Sequence, residues 1–277
     1  MIRDRFYCPV CQMEEMQVLV KTPWYNCPDC RTISARADML TKRTAKLALA
    51  GTGRQSPFSL VNAGQANDEV LPGGTISVTT SIRNIGANQT ILAFISCVGS
   101  TAAPTSVLIQ GSDAMTLVTQ AGTGGVTRMG VYRFSGTLTV PGALQQVVAA
   151  WAVTLPTEAT IVVMLLSGAD TTPDKAASFE NTGTTFTSGA AGNTTTANEL
   201  LVGSLSSFDA SLVQPAPTFP SGPQWGSVHR SRYNSTNKSG IDVWTREIFA
   251  ITNPRFAGSE NGTFGVSVAN IVTFKTA

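Results

Sequence analysis

The sequence predicts a mostly β protein, and three observations carry that prediction. After residue 55 no stretch holds a strong helical period. From Ser56 onward, short apolar or alternating runs follow one another. Clusters of Gly, Pro, Asn and Asp separate those runs, as they do in sheets built from many short strands.

Each predicted strand has its own signature. "TISVTTSI" sets Ile76, Val78 and Ile82 on one face and polar residues on the other, the pattern of a strand with one buried face. "QTILAFISCV" and "ATIVVMLLS" are continuous apolar runs and predict strands buried on both faces. "VTRMGVYRF" and "QQVVAAWAVTL" follow the same logic. In "TFGVSVANIVTFKT", Phe264, Val266, Val268, Val272 and Phe274 share a face that only Asn270 interrupts. The turns agree. "LPGGT", "NIGANQ", "GTGGVT", "SGTLTVPGA" and "SGAAGNTTT" supply residues that accept a positive φ or preset a negative one. About ten to twelve such strands suit one two-sheet antiparallel sandwich with jelly-roll connections. The Pro-rich "DASLVQPAPTFPSGPQWG" predicts a long surface loop, because Pro cannot serve an interior strand.

Composition narrows the function classes. Charged residues make up 13% of the 277, about half of the roughly 25% usual in soluble domains. Mean hydropathy is +0.10. The longest apolar run, "ATIVVMLLSGA", is far shorter than the roughly 20 residues that cross a bilayer, so no membrane association is expected. A net charge of +2 gives no global pull toward nucleic acid. The opening "MIRDRFYCPV" lacks the apolar core of a secretory signal, so the chain is expected to fold in a cytoplasm. A surface poor in charge and rich in Thr, Ser, Gly and Ala suits a protein surrounded by other protein subunits.

The N-terminal segment carries the one strong chemical motif. Cys8 and Cys11 form one Cys-x-x-Cys pair, Cys27 and Cys30 another, with residues 12 to 26 between them. This spacing lies at the edge of the window for structural zinc. Two knuckles of this kind bring four sulfurs to one ion at about 2.3 Å and complete a tetrahedron. Pro9 and Pro28 stiffen the knuckles, and "MQVLVKT" and "WYNC" predict a hairpin between them. Four thiolates leave no open coordination position, so one structural Zn2+ is expected and catalysis by it is not. The segment resembles a zinc ribbon over about residues 5 to 34. Zinc ribbons often bind nucleic acid or protein, but this loop carries Glu14, Glu15 and only Lys21, so nucleic acid is not an expected partner.

Three domains follow: a zinc ribbon at 1–34, a basic helical or extended linker at 35–55, and the sandwich at 56–277. Within the linker, Ala, Leu, Met and Lys favour a helix over Asp38–Ala50, which Gly51 and Gly53 would end. Arg36, Lys42, Arg43 and Lys46 make it the most basic stretch of the chain. It reads either as an arm for an acidic neighbouring surface or as a solvated linker.

Elsewhere the sequence offers little catalytic chemistry. His229 is the single histidine. A triad would need it beside Asp242 and a serine such as Ser227, yet no Gly-x-Ser-x-Gly elbow is present. Asp170 and Asp174 fall short of a calcium ligand set and predict turn capping. Glu199, Asp242 and Glu247 are carboxylates without a motif. Cys97 predicts inert packing, and "GTGG" a hairpin turn. Trp225, Tyr233 and Trp244 are close in sequence, either as core or as an aromatic platform for sugar.

Four pieces of the body, "ILAFISCVGSTAAPTSVLIQGSDAMTLVTQ", "GVYRFSG", "VVMLLSGADTTPD" and "TTTANELLVGSLSSFD", carry a second resemblance. With a Trp-containing strand and the closing "VTFKTA", they resemble a jelly-roll sandwich of bacteriophage structural proteins and some bacterial surface proteins. The resemblance implies a non-enzymatic virion protein, a capsid decoration or other exterior component. Its partners would be other capsid subunits and further copies of itself, and its zinc ribbon and basic arm would act as a docking foot. The alternative is a carbohydrate-binding or host-adhesion module using Trp225, Tyr233 and Trp244.

Overall fold

The computed structural model describes residues 56–68, 74–100, 102–122, 127–152, 155–208, 218–219, 225–230, 239–260 and 266–277, together with five short N-terminal strands. The chain divides into two compact units, Met1–Ser56 and Pro57–Ala277.

In the first unit, β2 (Gln17–Val18), β3 (Trp24–Asn26) and β4 (Ile33–Ala35) form an antiparallel three-stranded sheet. The expected hairpin between the Cys pairs is the β2–β3 pairing. Separately, β1 (Phe6–Tyr7) pairs with β5 (Leu40–Thr41). At Leu40 and Thr41 the linker takes the extended form rather than the helix that residues 38–50 favour; residues 38, 39 and 42–50 lie outside the described residues. Leu40 and Thr41 have a ladder partner in the chain, which overrides a weak local helix preference. The remainder of the basic stretch, with Arg36, Lys42, Arg43 and Lys46, lies outside the described residues, as do Cys8, Cys11, Cys27 and Cys30.

The second unit is entirely antiparallel among its described strands. Its first sheet has the order β10 (Asp113–Ala114), β9 (Ser106–Ile109), β13 (Gln146–Ala150), β7 (Thr75–Thr79). The central sheet runs β11 (Thr116–Ala121), β12 (Thr127–Phe134), β8 (Gln89–Val98), β14 (Glu158–Ser167), β6 (Ser59–Asp68). The third runs β15 (Lys175–Thr182), β21 (Val266–Lys275), β17 (Glu199–Phe208), β19 (Ser239–Ile248), β18 (Gly226–His229). A two-stranded ribbon of β16 (Thr185–Thr187) and β20 (Ala257–Ser259) completes it.

These sheets stack three deep, which corrects the two-sheet sandwich expected from strand counting. The reason is visible along β8. Ile91, Ala93, Ile95 and Cys97 enter one core with Ile76, Val78, Val107, Ile109 and Val147 of the first sheet. Leu92 and Phe94, alternating with them, enter a second core with Val202, Val243, Val268, Val272 and Phe274 of the third sheet. β14 divides in the same way, with Ile161 and Val163 on one side and Val162, Met164 and Leu166 on the other. The continuous apolar runs are therefore strands buried on both faces, as expected from the sequence. Each such fully buried aliphatic side chain contributes about 1.5–3 kcal/mol.

The third sheet is also covered on its outer face. Leu201, Leu205, Trp244, Ala269 and Ile271 meet Phe186 of β16 and Phe256, which precedes β20, in a third core. Gly203 permits that contact: a Cβ there would lie 2.3 Å from the Phe256 ring. Thr218 pairs with Ser259 by reciprocal backbone hydrogen bonds of 2.7 and 3.0 Å, so part of the Pro-rich segment lies on the ribbon edge.

The predicted turns carry the expected backbone. Gly74, Gly142, Gly189 and Gly192 have positive φ, and in "NIGANQ" the residue with φ 58° is Asn88. β11 and β12, the strands that flank "GTGG" in the sequence, are antiparallel neighbours.

Candidate functional site

Among the described residues, three side-chain ties link the central and third sheets, and one of them contains His229. At one edge, the Thr119 hydroxyl of β11 donates to Ser178 Oγ of β15 at 2.9 Å, and Ser178 donates to the Gln120 carbonyl at 2.6 Å. In the middle, the Ser96 and Ser206 hydroxyls meet at 2.5 Å. At the opposite edge, Asn62 Nδ2 of β6 donates to His229 Nδ1 of β18 at 2.9 Å.

His229 and Asp242 lie on opposite faces of the third sheet. His229 lies opposite Val243 in the ladder, so its ring shares the face of Val243, toward the second core. Asp242, one residue earlier on β19, points to the other face, because strand side chains alternate. Its Oδ2 pairs there with Arg230 Nε at 3.6 Å. Burial pushes the His229 pKa down to about 4. Its proton-accepting nitrogen is occupied by an amide, so it has no serine to activate.

Glu199, Asp242 and Glu247 stand apart from one another, whereas Glu199 hydrogen-bonds Asp174. Glu199 is fully buried and accepts from the Thr196 amide at 3.2 Å and hydroxyl at 3.1 Å. It lies opposite Ile248, six residues along β19 from Asp242, which at about 3.3 Å per residue is roughly 20 Å. Glycoside-cleaving acid pairs stand about 5–9.5 Å apart. Glu247 points away from both the Asp242 and Ile248 face. Asp170 accepts from the Thr172 amide at 3.0 Å and so caps its own turn, as expected. Asp174 reaches further: it accepts from the Thr195 amide and hydroxyl, both at 2.7 Å, and lies 3.2 Å from Lys275 Nζ. Burial opposes its ionisation, but these bonds bring its pKa down to about 2.

A second pairing of acids, Glu260 with Asp242, was likewise not legible in the sequence. Glu260 follows β20 and is buried over the third sheet. Burial first, and the Asp242 charge second, push its pKa up to about 7, with the Ser267 hydroxyl opposing. Glu260 sits in "AGSENGT", which reads locally as turn, and only the tertiary fold brings it to Asp242. Both carboxyls are covered, with 7% and 3% of their residue surface exposed, so no substrate reaches them as they stand.

The aromatic residues form core. Trp244 is buried, and its ring centroid lies 5.5 Å from that of Phe256. Trp225 is half-buried and packs edge-on against the same Phe256 at 4.9 Å. Phe219 touches Phe186, Trp225, Trp244 and Phe256. Trp225 and Trp244 thus do not present an exposed sugar platform; Tyr233 lies outside the described residues. Cys97 is inert packing, 2% exposed, with its thiol pushed up to about 12 by burial.

Among the described residues no three His, Cys, Asp or Glu side chains converge to hold a metal ion, and no helix is long and apolar enough to cross a membrane. The exposed large apolar side chains include Phe179, Phe249 and Ile251, at 54%, 62% and 61%.

No protein-family model matches the chain, and no curated protein matches its sequence. Among solved structures, the major capsid protein P2 from bacteriophage PM2 superposes over 79% of this chain and 98% of its own, at 10% identity and a TM-score of 0.24. A superposition at that score does not establish a shared fold.

Proposed function

We propose that this chain is a non-enzymatic structural subunit of a bacteriophage virion, an exterior or decoration component of the capsid. A zinc ribbon held by Cys8, Cys11, Cys27 and Cys30 and a basic arm with Arg36, Lys42, Arg43 and Lys46 dock it to neighbouring subunits. The observation that carries this reading is how the body uses its polar groups. Asp170, Asp174, Glu199 and His229 are tied into turns and sheet seams, and the candidate aromatic platform is core. A body so arranged supports a durable surface, and its low charge and exposed Phe179, Phe249 and Ile251 suit contact with other subunits.

The donor set suits the metal: four soft thiolates in two knuckles select zinc over the hard cations. The β2–β3 pairing between the knuckles is the hairpin that such a site needs. Zinc would supply folding energy that a unit of this size cannot draw from its own core. Two measurements test the reading. Metal analysis of the purified chain should find one zinc per chain, and mass spectrometry of gradient-purified particles should find the chain in many copies. A chain absent from the particles, or one that turns over a substrate, defeats it.

A further inference from the structure

The tie between Asn62 and His229 differs in kind from the other two ties across the same sheet pair. Thr119–Ser178 and Ser96–Ser206 are hydroxyl contacts with no proton to gain in ordinary buffers. Asn62–His229 includes a base. Both of its residues sit at irregularities in their ladders. On β6 the register shifts between the partners of Val163 and Met164, so that Gly64 and Asn62 are the paired residues and Ala63 is extra. On β18 it shifts between Ser227 and His229, leaving Val228 extra. Bulges re-aim side chains, and here one lies at each end of the Asn62–His229 bond between the edge strands β6 and β18. The residues are 167 positions apart in the chain.

The hydrogen bonding around them fixes a single protonation state. Asn62 Oδ1 accepts from the Gly64 amide at 3.0 Å, which commits its Nδ2 to donate. His229 Nδ1 must therefore accept, and the ring proton lies on Nε2, which is buried without a partner. An imidazolium carries N–H on both nitrogens. Its Nδ1–H would face the Asn62 amide, donor against donor. Turning the ring presents another N–H, and turning the amide breaks the Gly64 bond. Among the described residues, the groups facing the ring offer no compensation. From β6 it meets Asn62, and from β19 its ladder partner is Val243. The next residue, Arg230, is itself a cation and turns to Asp242 on the opposite face.

We propose that Asn62 and His229 form an acid-sensitive latch that closes the β6–β18 edge of the central and third sheets. With neutral His229 the edge is sealed. Protonation favours the ring in water, and the two edge strands come apart there while the Ser96–Ser206 and Thr119–Ser178 ties persist. The latch acts independently of whether the chain belongs to a virion.

The sign and size follow from linkage. The ring titrates at its ordinary 6.5 when released and at about 4 when latched. The opening constant therefore rises as pH falls through that window, by on the order of 100-fold in total. Native-state hydrogen exchange of the full-length protein between pH 7 and 4, expressed as protection factors, measures it directly. Wild-type amides of β6 and β18 should lose about 100-fold of their protection, while those of β9 and β13 hold theirs. His229→Gln keeps an acceptor for Asn62 without a titrating proton, and its β6 and β18 protection should stay flat. Asn62→Asp offers the imidazolium a carboxylate and should retain protection down to about pH 5. Equal loss in wild type and His229→Gln, or no loss in wild type, overturns the proposal.

Discussion

Asn270 is enclosed on the second-core face of β21 with neither amide atom hydrogen-bonded, and Ser204, its ladder partner on β17, also has a buried hydroxyl without a partner. A buried polar group that completes no bond costs free energy. Asn270→Leu is therefore expected to stabilise the protein by about 1 kcal/mol in urea unfolding. A loss of that size would mean the amide is satisfied. Two carboxyl groups give pH dependences of opposite sign. The Asp174 pKa is lowered from 3.8 to about 2, so its contribution is present above pH 4 and fades as pH falls toward 2. Asp174→Asn should therefore lower the melting temperature at pH 7 and leave it unchanged near pH 2. The Glu260 pKa is raised from 4.5 to about 7, so folding is penalised progressively as pH rises between those values. Glu260→Gln should raise the melting temperature above pH 7 and leave it alone below pH 4.5.

At the scale of elements, the outer face of the third sheet depends on one close approach. Gly203 leaves space for Phe256, against which Trp225, Trp244, Phe186 and Phe219 all pack. Gly203→Ala must displace that ring and is expected to cost about 1–3 kcal/mol, with a red-shifted tryptophan emission as Trp225 and Trp244 gain solvent. An unchanged spectrum would show that the ring can give way. Much at this scale was legible in the sequence. β7 keeps Ile76 and Val78 inward, β8 and β14 are buried on both faces, and the Gly and Asn turns fall where a positive φ is needed. What covers each face was not legible. Periodicity marks a face as buried but does not name the layer above it, so three stacked sheets read as two. β21 shows the same limit: its Val268, Val272 and Phe274 face was expected, while Ala269 and Ile271, on the other side, meet an aromatic core built from distant segments. Asn62 with His229, and Glu260 with Asp242, are likewise joined only by the fold.

For the molecule as a whole, the body and the N-terminal unit pose different problems. The body is a stack of sheets in which Asp170, Asp174, Glu199 and His229 are hydrogen-bonded within the fold. The N-terminal unit carries the four paired thiols, and most of what the sequence says about attachment rests there. The most direct measurement is co-sedimentation of the full-length protein with particles stripped of it, beside its Cys27→Ser/Cys30→Ser variant. The expected result is saturable binding of the wild type and a variant left in the supernatant, its β body still folded by circular dichroism. Equal binding of the two proteins would contradict a zinc-built foot as the means of attachment.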